Sequence, residues 1–374
     1  MSEKRILIVG AGISGLCFLH ASLQANFKPK VIEKLPSFKK EGMGIALPAN
    51  AMLGFEQLNL AKEIMAVAYQ VHRIRYVKAS GALLSEASLD KKPLNKAPFV
   101  SLLRSELIDI LKEDREQYIE FNQEIEALEE REVDVKVRFN GGKTEIFDLV
   151  VIADGLHSTT RALSFKGAGT NSLNVTNWRF LSFSKKNISE PIYYIGNDTA
   201  FMIYPMPKNQ IYCYAQVLDK EKKHLKSASK SSLQKLFSEY TEEVLESIEN
   251  IENEENILEG RLASVIKPFY PTKNIILIGD ALHGCSPSLQ QGVGMGIEDG
   301  LVLAKVLSTM PQNLALKEFT RLREKRVDWV VNESNKIIHL AGIGKTFIGR
   351  VIRNFIVRLN GPINVKGWKF LLSE

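Results

Sequence analysis

Cysteine is scarce in this 374-residue chain: Cys17, Cys213 and Cys285 are far apart and odd in number. That excludes a disulfide framework and fits free thiols in a reducing cytoplasm, the expected location. No Cys or His cluster has metal-ligand spacing, so no metal is expected. No apolar run reaches the roughly 18 residues that a membrane helix needs. The chain enters a strand directly after Met1-Ser2-Glu3-Lys4-Arg5, which leaves no room for a signal peptide. Tryptophan is almost missing as well, with Trp178, Trp329 and Trp368 standing alone. Acidic residues are nearly absent from the tail. From Ser334 onward seven cations face the single anion Glu374, so the tail holds the whole net charge of +6. The rest is neutral, and nothing in it points to nucleic acid.

What is present, at 45% apolar residues, suffices for one large core or two modest ones. Ile6 to Val9 reads as a short buried strand, and Gly10-Ala11-Gly12-Ile13-Ser14-Gly15 turns it into a helix running to about Asn26. Val31-Ile32-Glu33 follows as a second parallel strand. Gly10 permits a tight turn, Gly12 lets backbone approach a pyrophosphate, and Gly15 lets helix and strand pack closely. The helix start offers unpaired N–H groups to phosphates, and Glu33 is placed to accept hydrogen bonds from an adenosine ribose. This pattern predicts a dinucleotide site without separating FAD from NAD.

A second motif ends the buried strand Asp148 to Ala153: Asp154-Gly155, then Ser158 and Arg161 at three-residue spacing. Upstream, Val133 to Phe139 alternates into the turn Asn140-Gly141-Gly142 and the strand Thr144 to Phe147. A third motif follows the apolar run Ile275 to Ile278. Gly279-Asp280 makes a corner, Ser286-Pro287-Ser288 a loop, and Gly292 opens a helix, together a cradle for an extended anionic ligand. Between these motifs, Lys166 to Val265 changes character. It carries aromatic strands (Trp178 to Phe180, Phe201 to Tyr204, Ile211 to Ala215) and a charged helical stretch from about Ser231 to Asn256. The acid-rich run Glu242 to Glu259 reads as a solvated helix face. No internal repeat is present.

These three motifs, in this order, resemble the single-component FAD-dependent aromatic hydroxylases, the para-hydroxybenzoate hydroxylase-like family. Size and the Gln291-Gly292 spacing lie nearest the salicylate-hydroxylase-like and tetracycline-inactivating members. Gly42 to Asn50 matches the segment that runs past the flavin, and Ser101 to Leu107 matches the family's arginine-led helix. The resemblance implies an α/β fold: a discontinuous Rossmann-like FAD-binding domain, a mixed β-sheet substrate domain and C-terminal helices. The expected divisions are 1–72, 100–165 and 267–325 for FAD, 73–99 and 166–266 for substrate, and 326–374 for the helical tail. It further implies FAD contacts at Gly10, Gly12, Ser14, Gly15, Glu33, Lys34, Arg104, Asp154, Asp280, Pro287, Gly292 and Val293. Asp280 would bind the ribityl chain, Pro287 would lie beside the isoalloxazine, and Gly292 would offer its N–H to the pyrimidine edge. Two positions depart from the family, which often has Gly at 290 and a small polar residue such as Asn at 294. Here they are Gln290 and Gly294.

The activity so implied is monooxygenation of an aromatic or polycyclic small molecule, with NADH or NADPH and O2, through a hydroperoxide at flavin C4a. No catalytic protein triad is needed, because the flavin carries the chemistry. Other readings on the same scaffold are a flavin-dependent reductase, a halogenase, or a FAD-holding protein without turnover. The isolated tryptophans rule out the halogenases' Trp-x-Trp-x-Ile-Pro motif. Tyr204, Tyr212, Tyr214 and Gln290 are the candidate substrate contacts, with Trp178 and Phe201 as further aromatics of the same strands. His283 reads as a hydrogen-bonded structural residue, and Cys285 as loop packing. The tail helix from Lys345 to Leu359 gathers Phe347, Ile348, Val351, Ile352, Phe355 and Leu359 on one face. It is expected to pack that face on its own domain with a basic face outward; weak peripheral membrane contact is the alternative, and stable insertion is not expected.

Overall fold

The computed structural model describes residues 4–38, 43–226, 228–267 and 270–373. Side chains of 339–341 lie outside that description, as does Gly42 of the flavin-side segment. A five-stranded parallel sheet orders its strands Ile275–Leu277, Leu149–Ile152, Ile6–Val9, Lys30–Ile32 and Ile119–Glu120. Ile8 sits between Val151 and Val31, and Val151 pairs in turn with Ile276. Every residue of the strands Ile6–Val9 and Leu149–Ile152 is buried. That is why these segments are unbroken apolar runs: a parallel sheet is covered on both faces.

The second large sheet has seven strands, ordered Leu258–Val265, Thr170–Phe183, Gln210–Leu218, Thr199–Pro205, Ile192–Ile195, Arg73–Lys78 and Leu83–Ser88. Only Ile192–Ile195 and Arg73–Lys78 pair in parallel. Alternation splits its side chains cleanly. Phe180, Phe201, Ile203, Ile211 and Cys213 pack with Leu233, Phe237, Val244 and Ile248 in a separate core. Tyr193, Met202, Tyr204 and Tyr212 turn the other way, toward the core of the parallel sheet. The fold class is thus α/β, with one parallel and one mixed sheet beside two three-stranded antiparallel sheets, as the resemblance implied.

Two expectations need correction. The stretch Ser231 to Asn256 is not one helix but two short ones, Lys230–Leu236 and Glu242–Glu249, followed by a 3-10 turn at Glu254–Asn256. Burial of Phe237 and Tyr240 draws the chain inward between them, and Glu259 belongs to a strand. The tail helix Phe347–Asn360 is also reversed relative to the expectation. Its apolar face is exposed, and the buried residues are Gly349, Arg353 and Val357. Arg353 reaches the carbonyl oxygen of Asn197 at 3.4 Å, so a cation forms part of the docking face.

A buried ionic knot fastens the helix Gly292–Thr309 to the helix Gln312–Ile343. Arg323 donates to Asp299 at 2.8 Å and to Glu298 at 2.6 Å, and Arg326 donates twice to Glu298, at 2.7 and 2.8 Å. Burial opposes the charge on both carboxylates. The Arg323 guanidinium nevertheless holds both below their ordinary range, with His283 and the Gly279 N–H helping at Asp299 and Arg326 at Glu298. Removing one member of such a buried pair costs about 3–5 kcal/mol, because the other charge is left uncompensated. Arg323→Ala should lose that much in urea unfolding. Because the folded pKa values are depressed, the knot's contribution is complete above the unfolded carboxylate range, near pH 4, and is lost as pH falls through the folded values. Wild-type stability should therefore drop below about pH 4, and the Arg323→Ala variant should show a shallower acid decline.

Candidate functional site

Gly10 has a φ of +101°, and a Cβ there would lie 2.7 Å from the carbonyl oxygen of Ala153, so only glycine fits between the two adjacent strand ends. A Cβ on Gly15 would stand 2.0 Å from the Gly10 oxygen, which is how closely helix and turn pack. Gly12 is different: a Cβ there would meet nothing within 4 Å. It is the N-cap of the helix Ile13–Gln24 and supplies no side-chain cap. The helix Gly292–Thr309 likewise begins without a side-chain cap. Both uncapped starts line one cavity of about 650 Å³, with Gly12, Ile13 and Ser14 from one and Gly292 and Val293 from the other. Two helix N-termini aimed at one space make it suited to anionic groups.

The same cavity is walled by Arg104, Gly155, Asp280 and Pro287, and on the mixed-sheet side by Tyr204, Tyr212, Tyr214 and Gln290. Of the other motif residues, Gly10 and Gly15 form the turn behind the wall. Glu33 stands beside it, accepting the N–H groups of Ala11 and Leu35, each at 3.0 Å. Lys34 is exposed and does not line the cavity. Asp154 accepts the Thr160 N–H at 3.2 Å, while its Oδ1 is buried without a donor. Burial raises its pKa. That orphaned oxygen at the cavity's edge, the open space at Gly12 and the two uncapped helices fit an FAD, whose hydroxyls and phosphates supply the matching donors and charge.

Around Gln290 the mixed-sheet wall is a hydrogen-bonded knot. Its Nε2 donates to the Tyr193 hydroxyl at 2.6 Å and also to Tyr204, whose hydroxyl meets that of Tyr193. Asn364 from the last helix donates to Tyr193 at 3.1 Å, and Tyr76 stacks on Tyr193 at 4.6 Å. Gln290 adopts φ 55°, a left-handed conformation that Gly would take more easily. At Gly294, a Cβ would lie 2.9 Å from Asn50 Nδ2. Asn50 and Gln291 exchange hydrogen bonds there, at 2.9 and 3.2 Å, so an amide from a neighbouring helix fills the space that a side chain at 294 would need.

His283 is buried and bonded to Asp299 at 2.8 Å, away from the cavity wall. Cys285 does line the cavity, but burial pushes its thiol up to about 12, which leaves it unreactive at neutral pH. Trp178 and Phe201 lie in the other core and do not reach the site. Residues not singled out from the sequence are Tyr76, Tyr193, Asn177 and Arg179. Arg179 pairs in register with Tyr214, and its Nε is buried without a partner. The available signal was alternation: Asn177 and Arg179 are the polar members of a strand whose Trp178 and Phe180 face the core.

Burial raises the pKa of all six cavity tyrosines, Tyr76, Tyr193, Tyr194, Tyr204, Tyr212 and Tyr214, and Tyr193 and Tyr212 are pushed up to about 12. An alkaline spectrophotometric titration should show these six ionising only well above about pH 10 or on unfolding. A single step near pH 10 for all ten tyrosines would contradict the buried wall.

The profile of the FAD binding domain family matches residues 3–333. A flavin-dependent monooxygenase from an unknown prokaryotic organism is 35% identical over 163 residues, 43% of this chain and 42% of that one. The chain thus aligns with under half of that relative's length. Aurachin C monooxygenase/isomerase of Stigmatella aurantiaca is 25% identical over 347 residues, covering 89% of this chain and 88% of that one. The crystal structure of Klebsiella pneumoniae HpxO complexed with FAD and uric acid superposes with a TM-score of 0.88 at 21% identity, over 99% of this chain and 97% of that one. The profile match spans most of the chain, and the protein belongs to the FAD binding domain family.

Proposed function

We propose that this protein is an FAD-dependent monooxygenase that uses NADH or NADPH and O2 to hydroxylate an aromatic or polycyclic small molecule in the cytoplasm. The observation that carries this reading is the single cavity of about 650 Å³ joining the two helix starts to a wall of six tyrosines. The relatives named as monooxygenases, one of them flavin-dependent by name, support it. In this reading residues 1–72, 100–165 and 267–325 hold FAD, 73–99 and 166–266 select the substrate, and 326–374 close the cavity.

Bound FAD supplies the redox and oxygen-transfer chemistry, and the chain supplies position and exclusion of water. Gly12, Ser14 and the first turn of their helix hold the pyrophosphate, and Glu33 and Lys34 serve the adenosine end. Asp280 and Asp154 accept hydroxyl hydrogens, and Arg104 adds a cation. Pro287 would flank the flavin ring, and the N–H groups of Gly292 and Val293, at a helix start, would favour negative charge there. Tyr204, Tyr212 and Tyr214 remain neutral phenols at neutral pH, so they hold an apolar ring and orient its polar substituents without bringing charge. Gln290 locks two of the wall's hydroxyls and so would hold the wall's shape against a bound substrate.

A panel of aromatic and polyketide compounds offered to the purified flavoprotein should include one that accelerates NAD(P)H oxidation and yields a product heavier by one oxygen atom. If none does so, the protein holds FAD without turnover. Asp280→Ala should weaken FAD binding roughly 10- to 100-fold, the effect of one lost hydrogen bond to a charged group. Gly12→Val should fold normally, since its side chain has open space, yet fail to retain FAD. A Gly12→Val protein that keeps its flavin would move the pyrophosphate elsewhere.

A further inference from the structure

We propose that the helix Phe347–Asn360 docks the protein flat on an anionic membrane surface. Phe347, Ile348, Val351, Ile352, Phe355 and Leu359 share one side of this helix and are 50 to 73% exposed. The other side, with Gly349, Arg353 and Val357, is the one that packs on the protein. A contiguous row of large apolar side chains in water marks a surface that meets something apolar. At fourteen residues the helix is about 21 Å long, too short to cross a bilayer but suited to lying in its interface.

Charge identifies the partner. No Asp or Glu occurs from Ser334 to Ser373. Lys345 and Arg358 are exposed beside the apolar row, and Lys366 and Lys369 are exposed on the next helix. None of these four pairs with a described carboxylate. Arg350 lies 5.8 Å from the Phe347 ring, at the edge of the same face. A second copy related by a two-fold axis would bring the same unpaired cations to the same rim, where they would repel. Lipid phosphates complement them, and the apolar row finds acyl chains between.

Arg353 and Val357, on the inner side of this helix, line the cavity. One helix, about 10 Å thick, therefore separates the lipid surface from the space proposed for substrate. An apolar substrate dissolved in the bilayer has only that width to cross.

Flotation of the full-length, flavin-loaded protein with vesicles tests this. Vesicles of phosphatidylcholine mixed with phosphatidylglycerol should carry the protein up, and pure phosphatidylcholine should carry far less. The double variant Phe347→Ser, Phe355→Ser should abolish flotation while its far-ultraviolet spectrum and flavin content stay unchanged. Lys345→Gln and Arg358→Gln should each weaken binding to the anionic vesicles about fivefold, and added salt should weaken it further. Absence of flotation with anionic vesicles overturns the proposal. So does a wild-type dimer, seen by sedimentation, that the Phe347→Ser, Phe355→Ser pair converts to monomer without changing vesicle binding. Neither readout involves turnover, so the result is independent of the monooxygenase reading.

Discussion

Asp299 holds the functional end of this molecule together. Its side chain is fully buried, and it accepts the Gly279 N–H, meets His283 and receives Arg323. The Gly279-Asp280 corner therefore does not hold its own shape. It is pinned by a carboxylate two helical segments later, which is itself held charged by an arginine from the long helix. Each partner would be costly to bury alone, and together they satisfy one another. The consequence reaches the cavity, because Asp280 and the start of the helix at Gly292 are aimed into it by this knot.

The cavity also depends on the division between two cores. Strand alternation in the mixed sheet commits Phe201, Ile203 and Cys213 to the helices behind it and Tyr193, Tyr204 and Tyr212 to the side facing the parallel sheet. The wall is rigid because its hydroxyls are tied to Gln290 and Asn364, residues from the cofactor-side loop and the last helix. Pocket shape is thus set jointly by three distant stretches of chain, and a change at any one of them is felt by the others.

This joint control explains what could be read from the sequence. The glycine turns, the buried parallel strands and the Gly279-Asp280 corner were legible because their requirements are local: a positive φ, a close approach, an unbroken apolar run. His283 was legible as structural from its place in the loop. Alternation put Tyr212 and Tyr214 on a common face, but only the second core reveals that Trp178 and Phe201 lie on the opposite one. Arg179 and Tyr193 were missed because their role comes from the partners across the sheet. The helix Phe347–Asn360 shows the limit most sharply. Its amphipathic pattern was plain, but amphipathicity does not say which face meets protein, and the small residue Gly349 with Arg353 and Val357 turned out to be the inner one.

The interruption of the parallel sheet bears on how the molecule assembles. Ile6–Val9 pairs with Leu149–Ile152, which pairs with Ile275–Leu277, and five strands of the mixed sheet lie in sequence between the last two. During synthesis the first strand and its helix emerge long before either later partner, while Thr170–Phe183 and Gln210–Leu218 find each other over a shorter span of chain. Contacts of such wide sequence separation form slowly, because loop closure must precede their reward. The strand that carries the Gly279-Asp280 corner is the last of its sheet to leave the ribosome. The cavity's full set of helix starts therefore exists only once the chain has been made through Gly292 and Val293.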